Sequence, residues 1–202
     1  MTIPNLRIFQ QGRHPAVWLL APLVGLATGG AAILFRLAIG IFQWPWLGTM
    51  TENVAAAARQ QPWWVILLAP AVGGLLVGLM LNYLLAGKRT GAVPDVMEAR
   101  INAGRGLGLW QGFLNAVASA LSLGAGASAG REGPIVHLGA SIAAAACTRL
   151  NLPNAGRRTL LAAGVAGAVA AGLVGQHLGI LPDPAIGPVQ GQHALGGRRR
   201  GR

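Results

Sequence analysis

Apolar residues fall in long runs separated by short polar or charged stretches. Residues 17–42 form the first run, broken by Arg36, and residues 63–86 form the second, opened by Trp63 and Trp64. A third run, rich in Ala, Ser and Gly, covers 109–129, and a last one covers about 159–181. Runs of roughly 20 apolar residues predict membrane-crossing helices. Between the third and last runs, 135–148 reads as a shorter helix of small residues. The stretch 43–62 reads as a linker, 87–108 as a charged loop and 149–158 as a basic loop. Beyond Pro182 the chain has Pro, Gly, Gln and Arg without period, which reads as disorder.

Composition narrows the class. The chain has 202 residues, 53 % hydrophobic and only 10 % charged, with mean hydropathy +0.52. A soluble domain carries about 25 % charge, so the expected class is an all-α polytopic membrane protein with about four to six membrane segments. The segments divide as 1–16, a polar and basic N-terminus; 17–171, the membrane domain; and 172–202, a divergent tail.

The net charge of +11 comes from 16 basic and 5 acidic residues. The arginines flank apolar segments instead of lining one stripe, which fits membrane orientation and headgroup contact and not nucleic-acid binding. The loop at 87–108 carries Lys88, Arg89, Arg100 and Arg105, and the loop at 149–158 carries Arg149, Arg157 and Arg158. The positive-inside rule then places the N-terminus in the cytoplasm, 43–62 outside and 87–108 inside. Arg198, Arg199, Arg200 and Arg202 break this pattern if 159–181 crosses, so either that run does not span or the tail is unusual. The first run lacks a cleavage site and reads as a retained helix in a multi-pass protein of the plasma (inner) membrane.

Single residues add limits. Cys147 is the sole cysteine and permits no intrachain disulfide. His14 and His193 lack metal-ligand spacing, and no metal or other cofactor is expected. Gly25/Gly29, Gly74/Gly78 and Gly126/Gly130 are GxxxG pairs, read as internal packing positions.

The most informative segment is Gly130-Arg131-Glu132-Gly133-Pro134. A carboxylate and a guanidinium between two apolar helices are costly in lipid unless they line a water-filled or ion-bearing cavity. Pro134 suits a first helical turn, so the helix from about 134 to 148 points its N-terminus into the protein. Its unpaired amides and positive dipole end suit an anion. Glu132 is then a tethered anion that can block the site, or leave it when protonated. The alternative is that Glu132 pairs with Arg131 or caps the helix. A second small turn, Thr90-Gly91-Ala92-Val93-Pro94, leads into a short helix with Asp95 and Glu98 and could also offer amides.

These segments together carry a resemblance. Gly130–Pro134, preceded by Gly124-Ala125-Gly126 and followed by His137-Leu138-Gly139-Ala140, resembles the chloride channel (CLC) family, whose motif reads GREGP or GKEGP. Gly91-Ala92-Val93-Pro94 resembles the family's earlier GSGIP motif, and Arg157-Arg158-Thr159 resembles the start of its next helix. The likeness covers about residues 15–171. It implies tilted and broken helices in two inverted repeats, and an anion channel or chloride/proton antiporter working as a homodimer in the bilayer. It implies Glu132 as the gating glutamate. It also implies anion-binding positions at Gly130, Arg131, Gly133, Pro134 and Ile135, and at Gly91, Ala92, Val93 and Pro94.

There are three departures. Gly91 stands where the family has an anion-binding hydroxyl. The inner proton-transfer glutamate has no counterpart. The second repeat is missing, with most of the dimer interface, so a partial first repeat from a truncated or frameshifted product is expected. Two further functions compete. One is a non-transporting fragment or one half of a split transporter. The other is an enzyme, because Gly126-Ala127-Ser128-Ala129-Gly130 has G-x-S-x-G spacing, with His137 or His177 as base. Ser128 has neither a preceding strand nor an acidic partner, and the chain is read as no enzyme.

Overall fold

A computed structural model describes residues 15–50, 54–85, 90–101 and 107–178. The expected N-terminal segment, almost in full, and the expected disorder beyond 182 lie outside the described residues. Among those described there are seven helices and no strand. They are α1 (Pro15–Leu47), α2 (Val54–Ala58), α3 (Trp63–Tyr83), α4 (Val93–Ile101), α5 (Leu109–Gly124), α6 (Glu132–Arg149) and α7 (Asn154–Leu178).

Among the described residues three helices are long and apolar enough to cross a membrane: α1 over Val17–Leu47, α3 over Trp63–Tyr83 and α7 over Asn154–Val174. At 1.5 Å per residue α1 is roughly 50 Å long, well beyond a hydrocarbon core of about 30 Å, a length that a membrane accommodates by tilt, by a kink or by helix that extends past the interface. The third apolar run forms a helix of only 16 residues, because α5 stops at Gly124. At about 24 Å it falls short of a full crossing. Residues 43–62 are not all linker. α1 runs on through Pro45 to Leu47, and Val54–Ala58 makes one short turn of helix. The boundary expected at 171/172 falls inside α7, which continues to Leu178.

The helix α6 occupies the centre. Ten of its residues are buried, from Ile135 to Cys147, on all faces and not on one stripe. It packs against α5, α1 and, most extensively, α7, while α1 and α7 form the largest helix pair. One core cluster joins Val17, Ala140, Ala143, Cys147 and Leu160; a second joins Ala32, Phe35, Ala116, Ile135 and Ala168.

Small residues make this possible. A Cβ on Gly139 would lie 2.8 Å from the Gly164 carbonyl oxygen, and a Cβ on Gly164 would lie 2.8 Å from that of Gly139. The α6 and α7 backbones thus cross in direct contact, the association mode expected in lipid. The GxxxG pairs behave differently. Gly25 and Gly29 face Ala163, Gly167 and Ala171 of α7, as expected for packing. Gly74 and Gly78 meet nothing within 4 Å, and Gly126 and Gly130 lie in the turn between α5 and α6, where Gly126 has φ +101°.

The outer surface is apolar. α3 buries only Ala69 and Gly73, and exposes Trp63, Leu67, Leu75 and Tyr83. α1 exposes Trp18, Leu19, Leu26 and Leu34. A soluble monomer rarely exposes so continuous an apolar face. With three spanning-length helices, this is the surface of an integral membrane protein.

Candidate functional site

The two motif segments meet the same central helix. α5 ends at Gly124, and a turn held by the Ala127 N–H donating to the Ser122 carbonyl (3.1 Å) leads to α6. α6 begins at Glu132, two residues before Pro134. Arg131 is its N-cap and makes no capping side-chain hydrogen bond. The first intrahelical bond is long, from the Ile135 N–H to the Arg131 carbonyl at 3.4 Å. The amides of Glu132 and Gly133 precede any carbonyl they could reach within the helix. Pro134 has no N–H to orphan, which is why a first turn accepts it.

Glu132 and Arg131 line a small cleft with Arg36 of α1, Ile135 of α6 and Ala168, Val169, Gly172 and Leu173 of α7. Its volume is about 30 Å³. One water needs roughly 10–15 Å³ on this measure, so the cleft has room for a water or two, or one small ion. Arg131 and Arg36 are half-buried and Glu132 is exposed among the described residues. The sequence reading noted Arg36 only as an interruption of an apolar run. Its signal was available, since a lone arginine inside such a run is costly unless it faces a partner or a cavity.

The second segment, Thr90–Val93, lies against the middle of α6. A Cβ on Gly91 would lie 2.6 Å from His137 Cε1 and 2.7 Å from Asn115 Nδ2, with His137 Nε2 nearer still. Only glycine fits at this position. Ala92 is not a free amide, because its N–H donates to Asp95 Oδ2 at 2.7 Å. Asp95, the third residue of α4, thereby closes one half of a capping box. Val93 and Pro94 are exposed first-turn residues of α4.

His137 and Asn115 are buried; the sequence offered His137 only as a neighbour of the motif and as a candidate base, and Asn115 not at all. His137 Nδ1 and Asn115 Oδ1 find no hydrogen-bond partner among the described residues. Each such buried polar atom costs about 1–3 kcal/mol. His137 stands five residues after Glu132, about 7.5 Å farther along α6 by helix rise. One helix thus ties the Glu132 end to the Gly91 end. Ser128 is exposed in the turn before α6, and the described residues contain no strand from which a nucleophile elbow could spring. No group of three or more His, Cys, Asp or Glu among the described residues could hold a metal.

Comparison with known proteins adds an independent line. The family model described as voltage gated chloride channel matches residues 73–173, which contain both segments. A ClcB-like chloride channel protein of Ralstonia nicotianae is 43 % identical over 122 residues, covering 60 % of this chain and 28 % of its own length. The voltage-gated ClC-type chloride channel ClcB of Salmonella typhimurium is 32 % identical over 183 residues, covering 85 % of this chain and 43 % of its own length. The chloride channel protein CLC-e of Arabidopsis thaliana is 35 % identical over 159 residues, covering 75 % of this chain and 21 % of its own length. The chain therefore spans less than half the length of these relatives. With the family match extending across α5, α6 and most of α7, the chain belongs to the voltage gated chloride channel family.

Proposed function

We propose that this chain supplies one part of a chloride pathway, as a channel or chloride/proton antiporter, with Glu132 as its protonatable gate. The observation that carries the reading is the start of α6. There an uncapped helix N-terminus, Glu132, Arg131 and Arg36 surround a cleft the size of a small ion. The helix dipole and both guanidiniums favour negative charge at that point. Ionised, Glu132 supplies it; protonated, it yields the place to chloride. Proton binding and anion entry are thereby coupled.

The outer position is formed by Gly130, Arg131, Gly133, Pro134 and Ile135, and the inner one by the Gly91–Pro94 turn. Pro134 and Pro94 act by shaping their turns, because neither carries an N–H. Further polypeptide completes the pathway, either in the same chain or in a complementing one, and the unit assembles as a homodimer in the plasma membrane with its N-terminus cytoplasmic. The alternative reading is a chain that contributes half of a split transporter, with the same cleft and the same Glu132.

Chloride efflux from liposomes tests both readings. The expected result is flux that rises as pH falls, and that becomes independent of pH in Glu132→Gln. Flux with unchanged pH dependence in that variant refutes Glu132 as gate. No flux at any pH from the chain alone, restored by a co-purified second chain, selects the split reading.

A further inference from the structure

The arginines of the turn between α6 and α7 take no part in the gate, and the fold gathers them at one end of the bundle. Arg149 stands in the last turn of α6, and Arg157 and Arg158 follow the first residues of α7. The turn is closely tied. The Leu152 N–H donates to the Cys147 carbonyl (3.2 Å), Asn151 takes a left-handed φ of +47°, and the Cys147 thiol donates to the Arg157 carbonyl (4.0 Å). Arg149 and Arg158 are exposed and Arg157 is half-buried. No acidic residue occurs between Glu132 and Asp183. α4 packs Val96 against the core cluster beneath the turn and carries Asp95 and Glu98, but also Arg100, and the Asp95 carboxylate is engaged by the Ala92 N–H. Arg157 and Arg158 stand, moreover, at the positive end of the α7 dipole, where a cation is unfavourable. An anion from outside the chain relieves this excess of positive charge.

Tryptophans mark the level of this turn in the membrane. A Cβ on Gly156 would lie 3.2 Å from Val17 Cγ2, so the turn sits beside the start of α1, where Trp18 is exposed. Trp110, also exposed, follows Leu107, which packs against the same cluster as Val17 and Cys147. Other exposed tryptophans mark the opposite end. Trp44 lies about 39 Å along α1 from Trp18 by helix rise. Gln61 Nε2 donates to the Leu47 carbonyl (3.1 Å), which puts Trp63 and Trp64 at that end too. Two aromatic belts about one bilayer thickness apart, headgroups included, mark the two membrane–water interfaces. The arginine turn lies at one of them, at headgroup depth. We propose that Arg149, Arg157 and Arg158 form a docking rim for an anionic phospholipid, whose headgroup phosphate they bind. Guanidinium groups pair with phosphate oxygens in bidentate fashion, and each one adds attraction to an anionic lipid surface. The rim is independent of the Glu132 gate.

The full chain in neutral detergent micelles, titrated with phosphatidylglycerol or with zwitterionic phosphatidylcholine and read by native mass spectrometry, tests this. The parent should bind phosphatidylglycerol more tightly by roughly tenfold or more. Arg149→Gln, Arg157→Gln and Arg158→Gln should each narrow that ratio by about fivefold, and the triple variant should bring the two lipids level. Arg59→Gln, an exposed arginine at the opposite end, should leave the ratio unchanged. If the triple variant fails to fold, the single variants at the exposed Arg149 and Arg158 decide. A parent that takes both lipids equally overturns the rim. So do arginine variants that keep the parent's ratio, or an Arg59→Gln that narrows it as much as they do. Displacement of phosphatidylglycerol by an equal concentration of inorganic phosphate overturns lipid as the partner.

Discussion

Replacing Gly164 by Ala should loosen the α6–α7 pair. The new Cβ would stand 2.8 Å from the Gly139 carbonyl oxygen and 2.8 Å from Ala143 Cβ. Ordinary contact begins near 3.4 Å, so the helices must separate by several tenths of an ångström. Neither obstacle is a flexible side-chain end: one is backbone and the other is fully buried. Overpacking of this kind costs about 1–3 kcal/mol. Alanine also gains about 1 kcal/mol of helix propensity over glycine, which would mask part of the loss. Gly78→Ala, which meets nothing within 4 Å, gains the same propensity without the clash and isolates it. SDS titration of helix content in mixed micelles, run on both variants, gives the difference directly. The expected result is Gly164→Ala less stable than Gly78→Ala by about 1–3 kcal/mol. Equal midpoints would refute the close crossing of α6 and α7.

Two other outcomes follow from local contacts. Asp95→Ala removes the acceptor of the Ala92 N–H and should destabilise the start of α4 by about 0.5–2 kcal/mol, read as faster hydrogen exchange over 92–96; unchanged protection there would exclude the cap. Cys147 is 2 % exposed, packed among Ala143, Ala144 and Leu160, so a maleimide should label it slowly in the folded protein and fully after denaturation in SDS, and rapid labelling of folded chain would contradict its burial.

Much of the fold was legible from spacing. The apolar runs at 17–42, 63–86 and 159–181 each overlap a helix of spanning length, because an apolar backbone in lipid has no choice but to close its own hydrogen bonds. Boundaries were less legible. α6 starts at Glu132 and not at Pro134, and α7 starts at Asn154 and not near 159. In both cases a charged residue reads as loop, although polar residues stand readily in a first helical turn. The third run ends at Gly124 because the chain must turn at Gly126 (φ +101°) to re-enter as α6. Hydropathy registers no such turn among residues that are all small.

By itself the sequence determined class and chemistry: an apolar, glycine-rich, all-helical chain, and two glycine-proline turns at helix starts, one of them carrying a carboxylate. Those are consequences of composition and local order, which lipid and backbone hydrogen bonding constrain strongly. Tertiary structure alone decided which residues share a place. It brought Arg36, about a hundred positions away, to Glu132, and it set His137 and Asn115 beneath Gly91. It also chose Gly139 and Gly164, and not the Gly74/Gly78 pair, as a point of backbone contact. Such choices depend on how helices rotate and cross, which is fixed by packing across the whole bundle and not by any window of sequence.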